Sequence, residues 1–427
     1  MLQHRRYRRR FDFGLGLVVA LASTFMSCTF SAPIGIDTPE GINDVLNMAP
    51  VRSLSEGDRW TVYEDPGKIR VQHGYGCLQQ GFAATEDYVG FRIQDVEAVP
   101  LNVGDAGTII LNGWDVQYTN GDHHVLGLGT AIFNMTSAVT ANQFELRWEA
   151  GGVLSDNDGN DGYKWCYRYT LVFWRRGVFN AVVPPQDDVS TTFVAGFDGM
   201  ALKNIDGKFT EPAYGPRAVL PRGFGLVWGE DHHVLQVGFD LGTPPVGGTT
   251  VTAGNEITWA SQTILKDNST YHGYNGAELV TILSGQSVEM WQPRTVLHLT
   301  GIPTNWVSEP TQLNLQPAQP GGVGCQPVGF SEEYLEFYSV ENVPYDYAIP
   351  VLTGWNLQYG CTDHHVERIG AYLVEFDYVK EPNANTGTLN YTIFSTLRDD
   401  SDNGHSAKYK VSILGLNALG GGGKGDK

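Results

Sequence analysis

The sequence predicts an all-β protein of three tandem antiparallel β-sandwich domains, jelly-roll or Ig-like, after an N-terminal export signal. Three observations carry this prediction. The tetrapeptide Asp-His-His-Val occurs three times, at residues 122–125, 231–234 and 363–366. Each copy follows an aromatic segment of alternating apolar character, and beyond the N-terminus no long run has apolar residues at helical spacing. The chain also holds 52 Gly, 20 Tyr, 19 Phe and 10 Trp, a composition suited to strands and turns.

Residues 1–27 read as a targeting segment. His4-Arg5-Arg6-Tyr7-Arg8-Arg9-Arg10 forms a basic region, and the apolar stretch from Phe13 to Met26 is short for a permanent membrane span. Phe25-Met26-Ser27-Cys28 resembles a bacterial lipoprotein processing site, in which a small residue precedes a cysteine that is acylated; here Phe25 stands where Leu is usual. The resemblance implies lipidation at Cys28; cleavage between Ser27 and Ala32 and retention as an uncleaved anchor are the alternatives. Arg8-Arg9-Arg10-Phe11 also resembles a twin-arginine signal, with Asp12 in place of an apolar residue.

After a linker over 28–65, the first repeat is expected over 66–180. It contains Gly81-Phe82, then Gly113-Trp114-Asp115-Val116-Gln117-Tyr118, the histidine cluster, and Leu154-Ser155-Asp156. A Pro-Pro and acidic stretch over 182–189 leads to the second, divergent repeat over 190–300. There the same order returns as Gly196-Phe197, Gly223-Phe224, the cluster and Leu265-Lys266-Asp267. A Pro/Gly/Gln-rich linker over 301–324 precedes the third repeat over 325–417, with Gly329-Phe330, Gly354-Trp355-Asn356-Leu357-Gln358-Tyr359, the cluster and Leu397-Arg398-Asp399; a Gly-rich tail closes the chain over 418–427. Each repeat is long enough to bury a two-sheet core.

Within a repeat, Trp114, Val116 and Tyr118 fall on one side of an extended chain and Asp115 and Gln117 on the other, which predicts a half-buried strand. Thr119-Asn120-Gly121 then marks a turn, and the alternating run beginning at the histidines predicts the return strand of a hairpin. The same alternation assigns Trp114, Trp228 and Trp355 to the core instead of to a sugar-stacking surface.

The four cysteines beyond Cys28 fall two in the first repeat (Cys77, Cys166) and two in the third (Cys325, Cys361), which predicts disulfides and an oxidising compartment. Formal net charge is −19; removal of residues 1–27 takes away five Arg and one Asp and leaves 23 basic against 46 acidic side chains, a charge of −23. So acidic a chain disfavours nucleic acid and anionic lipid headgroups as ligands and suits cations. Membrane association is expected through the N-terminal lipid or signal anchor alone, and a protein or glycan ligand fits the remaining surface.

Asp122, His123, His124, Asp231, His232, His233, Asp363, His364 and His365 are the candidate metal ligands. Neutral imidazole suits zinc or copper, and an adjacent carboxylate adds a ligand or orients a ring. The His-His pair resembles that of the peptidylglycine-hydroxylating copper monooxygenases, although the His-x-His motif that completes copper binding there is absent. Neighbouring residues of a regular strand face opposite ways, so both histidines of one pair reach a single ion only across a bulge. The bland alternative places one histidine of each pair half-buried against Asp or backbone and the other in solvent.

The acidic loops after Leu-x-Asp supply a calcium candidate: Asp156, Asp158 and Asn160, and Asp399, Ser401 and Asn403. No Glu stands at the twelfth position, where Tyr167 and Lys410 are found, and Asx-rich loops also make unliganded turns. Calcium and a transition metal are thus the cofactor classes the motifs admit, and neither is demanded. No nucleophile elbow or phosphate loop is present, and no catalytic residue is assigned. The expected function is that of an exported, lipid-anchored cell-envelope or surface component that binds or builds. The alternatives are a metal-dependent (copper or zinc) extracytoplasmic enzyme and a carbohydrate-binding array.

Overall fold

The computed structural model describes residues 59–80, 91–157, 161–181, 191–194, 202–210, 217–241, 250–252, 256–269, 272–285, 287–291, 313, 315, 332–360, 362–382, 384–401 and 403–419. The signal segment with Cys28, Gly81-Phe82, Asp158, Asn160, the stretch 182–189, Gly196-Phe197, the linker 301–324 except Leu313 and Leu315, Cys325, Gly329-Phe330, Cys361 and residues 420–427 of the tail 418–427 lie outside them.

The described chain is all-β. Its strands are β1 (Arg59–Asp65), β2 (Ile69–Gln80), β3 (Phe91–Pro100), β4 (Ala106–Tyr118), β5 (Val125–Val139), β6 (Gln143–Ser155), β7 (Tyr163–Trp174), β8 (Thr191–Val194), β9 (Leu202–Thr210) and β10 (Arg217–His232). They continue as β11 (Gln236–Asp240), β12 (Thr250–Thr252), β13 (Glu256–Lys266), β14 (Tyr274–Ser284), β15 (Val288–Trp291), β16 (Glu333–Val343), β17 (Tyr347–Tyr359), β18 (Arg368–Val379), β19 (Gly387–Arg398) and β20 (His405–Leu416). All pair antiparallel, in sheets ordered β1-β2-β7-β4-β18-β19-β16, β3-β6-β5-β10-β14-β8 and β12-β13-β11-β17-β20-β15, with β9 also on β13.

One pairing rule recurs. In the unit β2 to β7, the first strand pairs with the sixth and the sixth with the third, while the second pairs with the fifth and the fifth with the fourth. The same holds for β8, β9, β10, β11, β13 and β14, and for β15 to β20. By its pairing with β20, β15 belongs with this last unit although it falls within residues 190–300.

Every sheet takes strands from two units. The third strand of each unit pairs with the fourth strand of another: β4 with β18, β10 with β5, and β17 with β11. These three seams form a closed cycle, and thus a pseudo-threefold axis. The all-β antiparallel class read from the sequence holds, whereas the sheets are continuous from unit to unit. The expected hairpin is corrected. The strands flanking each histidine cluster, β4 and β5 or β17 and β18, lie in different sheets, so the cluster is a crossover between sheets. Strict alternation reports which side of a strand is buried and leaves its partner open.

Each third strand carries a register shift against the sixth strand of its own unit at one recurring place, skipping Asn112, Arg222 or Thr353 just before Gly113, Gly223 or Gly354. All three skipped side chains are buried, and each is hydrogen-bonded: Asn112 Nδ2 donates to Thr170 Oγ1, Arg222 Nε to Ile132 O, and Thr353 Oγ1 to Lys410 O. The glycine that follows lets the neighbouring unit approach. A Cβ on Gly113, whose φ is +140°, would lie 2.1 Å from Tyr372 Cβ. On Gly223 it would lie 2.5 Å from Ala131 Cβ.

The next residues, Trp114, Phe224 and Trp355, meet on the axis with ring centroids 5.0, 5.1 and 5.1 Å apart, all buried. Rings of this size remove on the order of 150–250 Å² each from water, or roughly 4–6 kcal/mol apiece at 25 cal/mol per Å², so this triad is a large part of what joins the units. Trp228 is buried as well, as the alternation predicted. Of the cysteines, Cys77 and Cys166 stand opposite one another on β2 and β7 and form a disulfide, the intra-repeat pairing expected.

Candidate metal centre

The three Asp-His-His-Val segments meet at the end of this axis. Their backbones are stitched into a ring: His123 pairs with Val366, His364 with Val234, and His232 with Val125. The first two bridges exchange both hydrogen bonds, at 3.0 and 2.9 Å and at 2.8 and 3.0 Å. The first histidine and the valine of each segment therefore face a neighbouring unit's backbone, and extended geometry sends the two histidine side chains to opposite sides.

The second histidines turn to the axis. His124, His233 and His365 stand with ring centroids 4.6, 4.6 and 4.4 Å apart, and one ring nitrogen of each lies within 4.8 Å of those of the other two. Each ring faces an Asp from the next unit: His124 Nδ1 is 3.4 Å from Asp231, His233 Nδ1 is 3.8 Å from Asp363, and His365 Nδ1 is 3.4 Å from Asp122. Each Asp is fixed in turn by the acidic loop of the unit whose histidine it faces. Asp231 accepts from the Asn157 amide N and Nδ2, Asp363 from the Asn268 amide N and Nδ2, and Asp122 from the Asp400 amide N.

An imidazole whose Nδ1–H points at a carboxylate keeps its lone pair on Nε2 and becomes a stronger ligand. Burial together with the neighbouring His365 ring holds His233 below the ordinary imidazole value; Asp363 opposes this and His124 adds to it. Neutral imidazole is the metal-binding form. Three such nitrogens satisfy zinc or copper and leave a coordination position over. The site is reachable, since the three side chains are 40–41% exposed.

The first histidines do something else. Each packs on an aromatic residue of its own unit, Tyr118, Trp228 or Tyr359, with centroids 4.7, 5.3 and 4.8 Å away. Each also faces the recurring Asp of Leu-x-Asp: His123 Nδ1 is 3.7 Å from Asp156, His232 Nδ1 is 3.6 Å from Asp267, and His364 Nδ1 is 3.1 Å from Asp399. The half-buried histidine beside Asp expected by the bland reading is therefore the first of each pair; the second, 40–41% exposed, meets its counterparts on the axis. A third polar group completes each cluster, namely Asp161, His272 or Asn403.

Of the calcium candidates, Asp399 accepts from the amides of Ser401 and Asn403 and from Asn403 Nδ2, which closes the loop as an Asx turn. Asp156 belongs to the His123 cluster. Sequence reasoning missed Asp161 and His272, because the third position of the cluster does not recur as one residue type; Asp267 was visible as the recurring Asp of Leu-x-Asp, and the usable signal was that Leu-x-Asp and His-His recur together.

No family model and no curated protein matches this chain. Among solved structures, that of the Macrobrachium rosenbergii nodavirus aligns at 8% identity over 60% of this chain and 97% of that one, with a TM-score of 0.13.

Proposed function

We propose that the chain is an exported component of the cell envelope or surface, anchored by a lipid on Cys28 or by its signal segment, with binding or structural work as its role. Three copies of one jelly-roll-like sandwich unit build it, and a single transition-metal ion held by His124, His233 and His365 ties the units together. The observation that carries this reading is the meeting of one histidine from each unit on the axis, each backed by the next unit's Asp. A purely solvated histidine has no need of such a carboxylate. The basic and apolar N-terminus, the acidic charge and the Cys77–Cys166 disulfide support an extracytoplasmic place.

Metal content tests the reading. Full-length protein loaded with zinc and desalted should lose one ion per chain in His124→Ala, His233→Ala and His365→Ala alike. Unchanged zinc content in these variants, with only a lowered melting temperature, would overturn it.

A metal-dependent enzyme is the second reading, favoured by the free coordination position of a three-histidine set and its exposure. It requires a turnover that disappears in the same variants. The carbohydrate-array reading has less support, because Trp114, Trp228 and Trp355 are all buried.

A further inference from the structure

The cluster beside the first histidine differs among the units in a way that the axial site does not. In the third unit, Asn403 Nδ2 donates to Asp399 Oδ2 at 2.7 Å and stands 3.2 Å from His364 Nδ1, so the third member beside the ring and the carboxylate is an amide donor, which offers no ligand nitrogen. In the first unit the third member is Asp161, 3.1 Å from His123 Nδ1 and also hydrogen-bonded by Asn120 Nδ2. That set offers one nitrogen and two carboxylates. In the second unit the third member is His272. Its ring stacks on His232 with centroids 3.8 Å apart and planes 20° from parallel. Both Nδ1 atoms address one oxygen, Asp267 Oδ2, at 2.5 Å from His272 and 3.6 Å from His232.

We propose that His232, Asp267 and His272 form a second metal site, of the two-histidine, one-carboxylate kind that holds a divalent transition-metal ion. The ligand atoms lie within 4.8 Å of one another, the spread that a single ion at roughly 2.0–2.2 Å from each draws together by small side-chain shifts. The supporting contacts are built in. Asp267 is buried, and its other oxygen accepts the Ser269 amide at 2.9 Å, which leaves Oδ2 for the ion. His232 is braced by Trp228, while His272 is 41% exposed and opens a path from solvent. Because His232 and His233 are consecutive in extended chain, they serve opposite sides of the backbone, and this site is separate from the axial one.

The test is a titration of metal-free, full-length protein with Zn²⁺ followed by calorimetry, repeated with Co²⁺ for its visible absorption. Wild type should take two ions, and His272→Asn, which installs the third unit's residue at an exposed position, should take one. His124→Ala should also take one, and the double variant none. Stoichiometry and affinity in His272→Asn equal to wild type would overturn the proposal, and so would a single wild-type ion lost in His124→Ala and kept in His272→Asn. A single wild-type ion lost in His272→Asn and kept in His124→Ala would sustain this site and overturn the axial reading. No binding at all would overturn both. An unchanged melting temperature of metal-free His272→Asn separates loss of a ligand from loss of the fold.

Discussion

Asp231 of the second unit holds His124 of the first: its Oδ2 stands 3.4 Å from His124 Nδ1, and the same carboxylate takes the amide N and Nδ2 of Asn157. One side chain thus fixes a ring and a loop that belong to a different repeat. Asp231→Ala is predicted to weaken zinc at the axial site about 10- to 100-fold without changing the number of ions bound at saturation. Competition with a chromophoric chelator measures this. An affinity equal to wild type would show that the carboxylate does not support the ring.

Gly113 marks a seam that tolerates no side chain. With φ at +140° and a Cβ placed 2.2 Å from Tyr372 Cα, Gly113→Ala must push β18 away from β4. Strain and overpacking together predict a loss of about 3 kcal/mol or more. Urea denaturation would show it as a lowered midpoint, whereas Gly177→Ala, where a Cβ meets nothing within 4 Å, should stay within about 0.5 kcal/mol of wild type.

His73 makes the protein sensitive to acid. It is buried between Thr170 Oγ1 at 3.0 Å and Leu373 O at 3.1 Å, and burial, aided by Arg168 and opposed by the Leu373 hydrogen bond, pulls its pKa down to about 4. The folded pKa is depressed below the unfolded value of about 6.5, so the neutral ring contributes fully above pH 6.5 and its contribution is lost as pH falls toward 4. The loss amounts to about 3 kcal/mol. Urea midpoints taken from pH 7 to pH 4 should fall less steeply in His73→Gln than in wild type; parallel curves would refute the assignment.

Glu278 acts in the opposite direction. Burial raises its pKa to about 7 although Trp259 Nε1 donates to it at 2.8 Å and Ser261 also opposes the shift. A folded pKa above the unfolded one means that its contribution is present below about pH 4.5 and is lost as pH rises through 7. Glu278→Gln is therefore predicted to stabilise the protein by about 3 kcal/mol at pH 8 and to have little effect at pH 4. Thermal melts at the two pH values decide it, and a variant equally stable to wild type at pH 8 would count against a charged, buried Glu278.

Period-two alternation at Trp114, Val116 and Tyr118 was enough to place these side chains inside a β-protein, and the recurrence of Asp-His-His-Val was enough to reveal three copies of one unit. Cys77 with Cys166 followed from their count. The sequence also limited what one His-His pair can do, since adjacent side chains of an extended chain diverge. Tertiary structure alone decided that β4 and β5 part into different sheets, that each third strand is sealed to another unit's fourth, and that His124, His233 and His365 converge. The physical reason is that alternation is a local record of burial, whereas strand partners and the meeting of three loops more than a hundred residues apart depend on how the units close around their axis. A histidine that looks solvent-facing within one repeat becomes a prospective ligand only when two other repeats bring theirs.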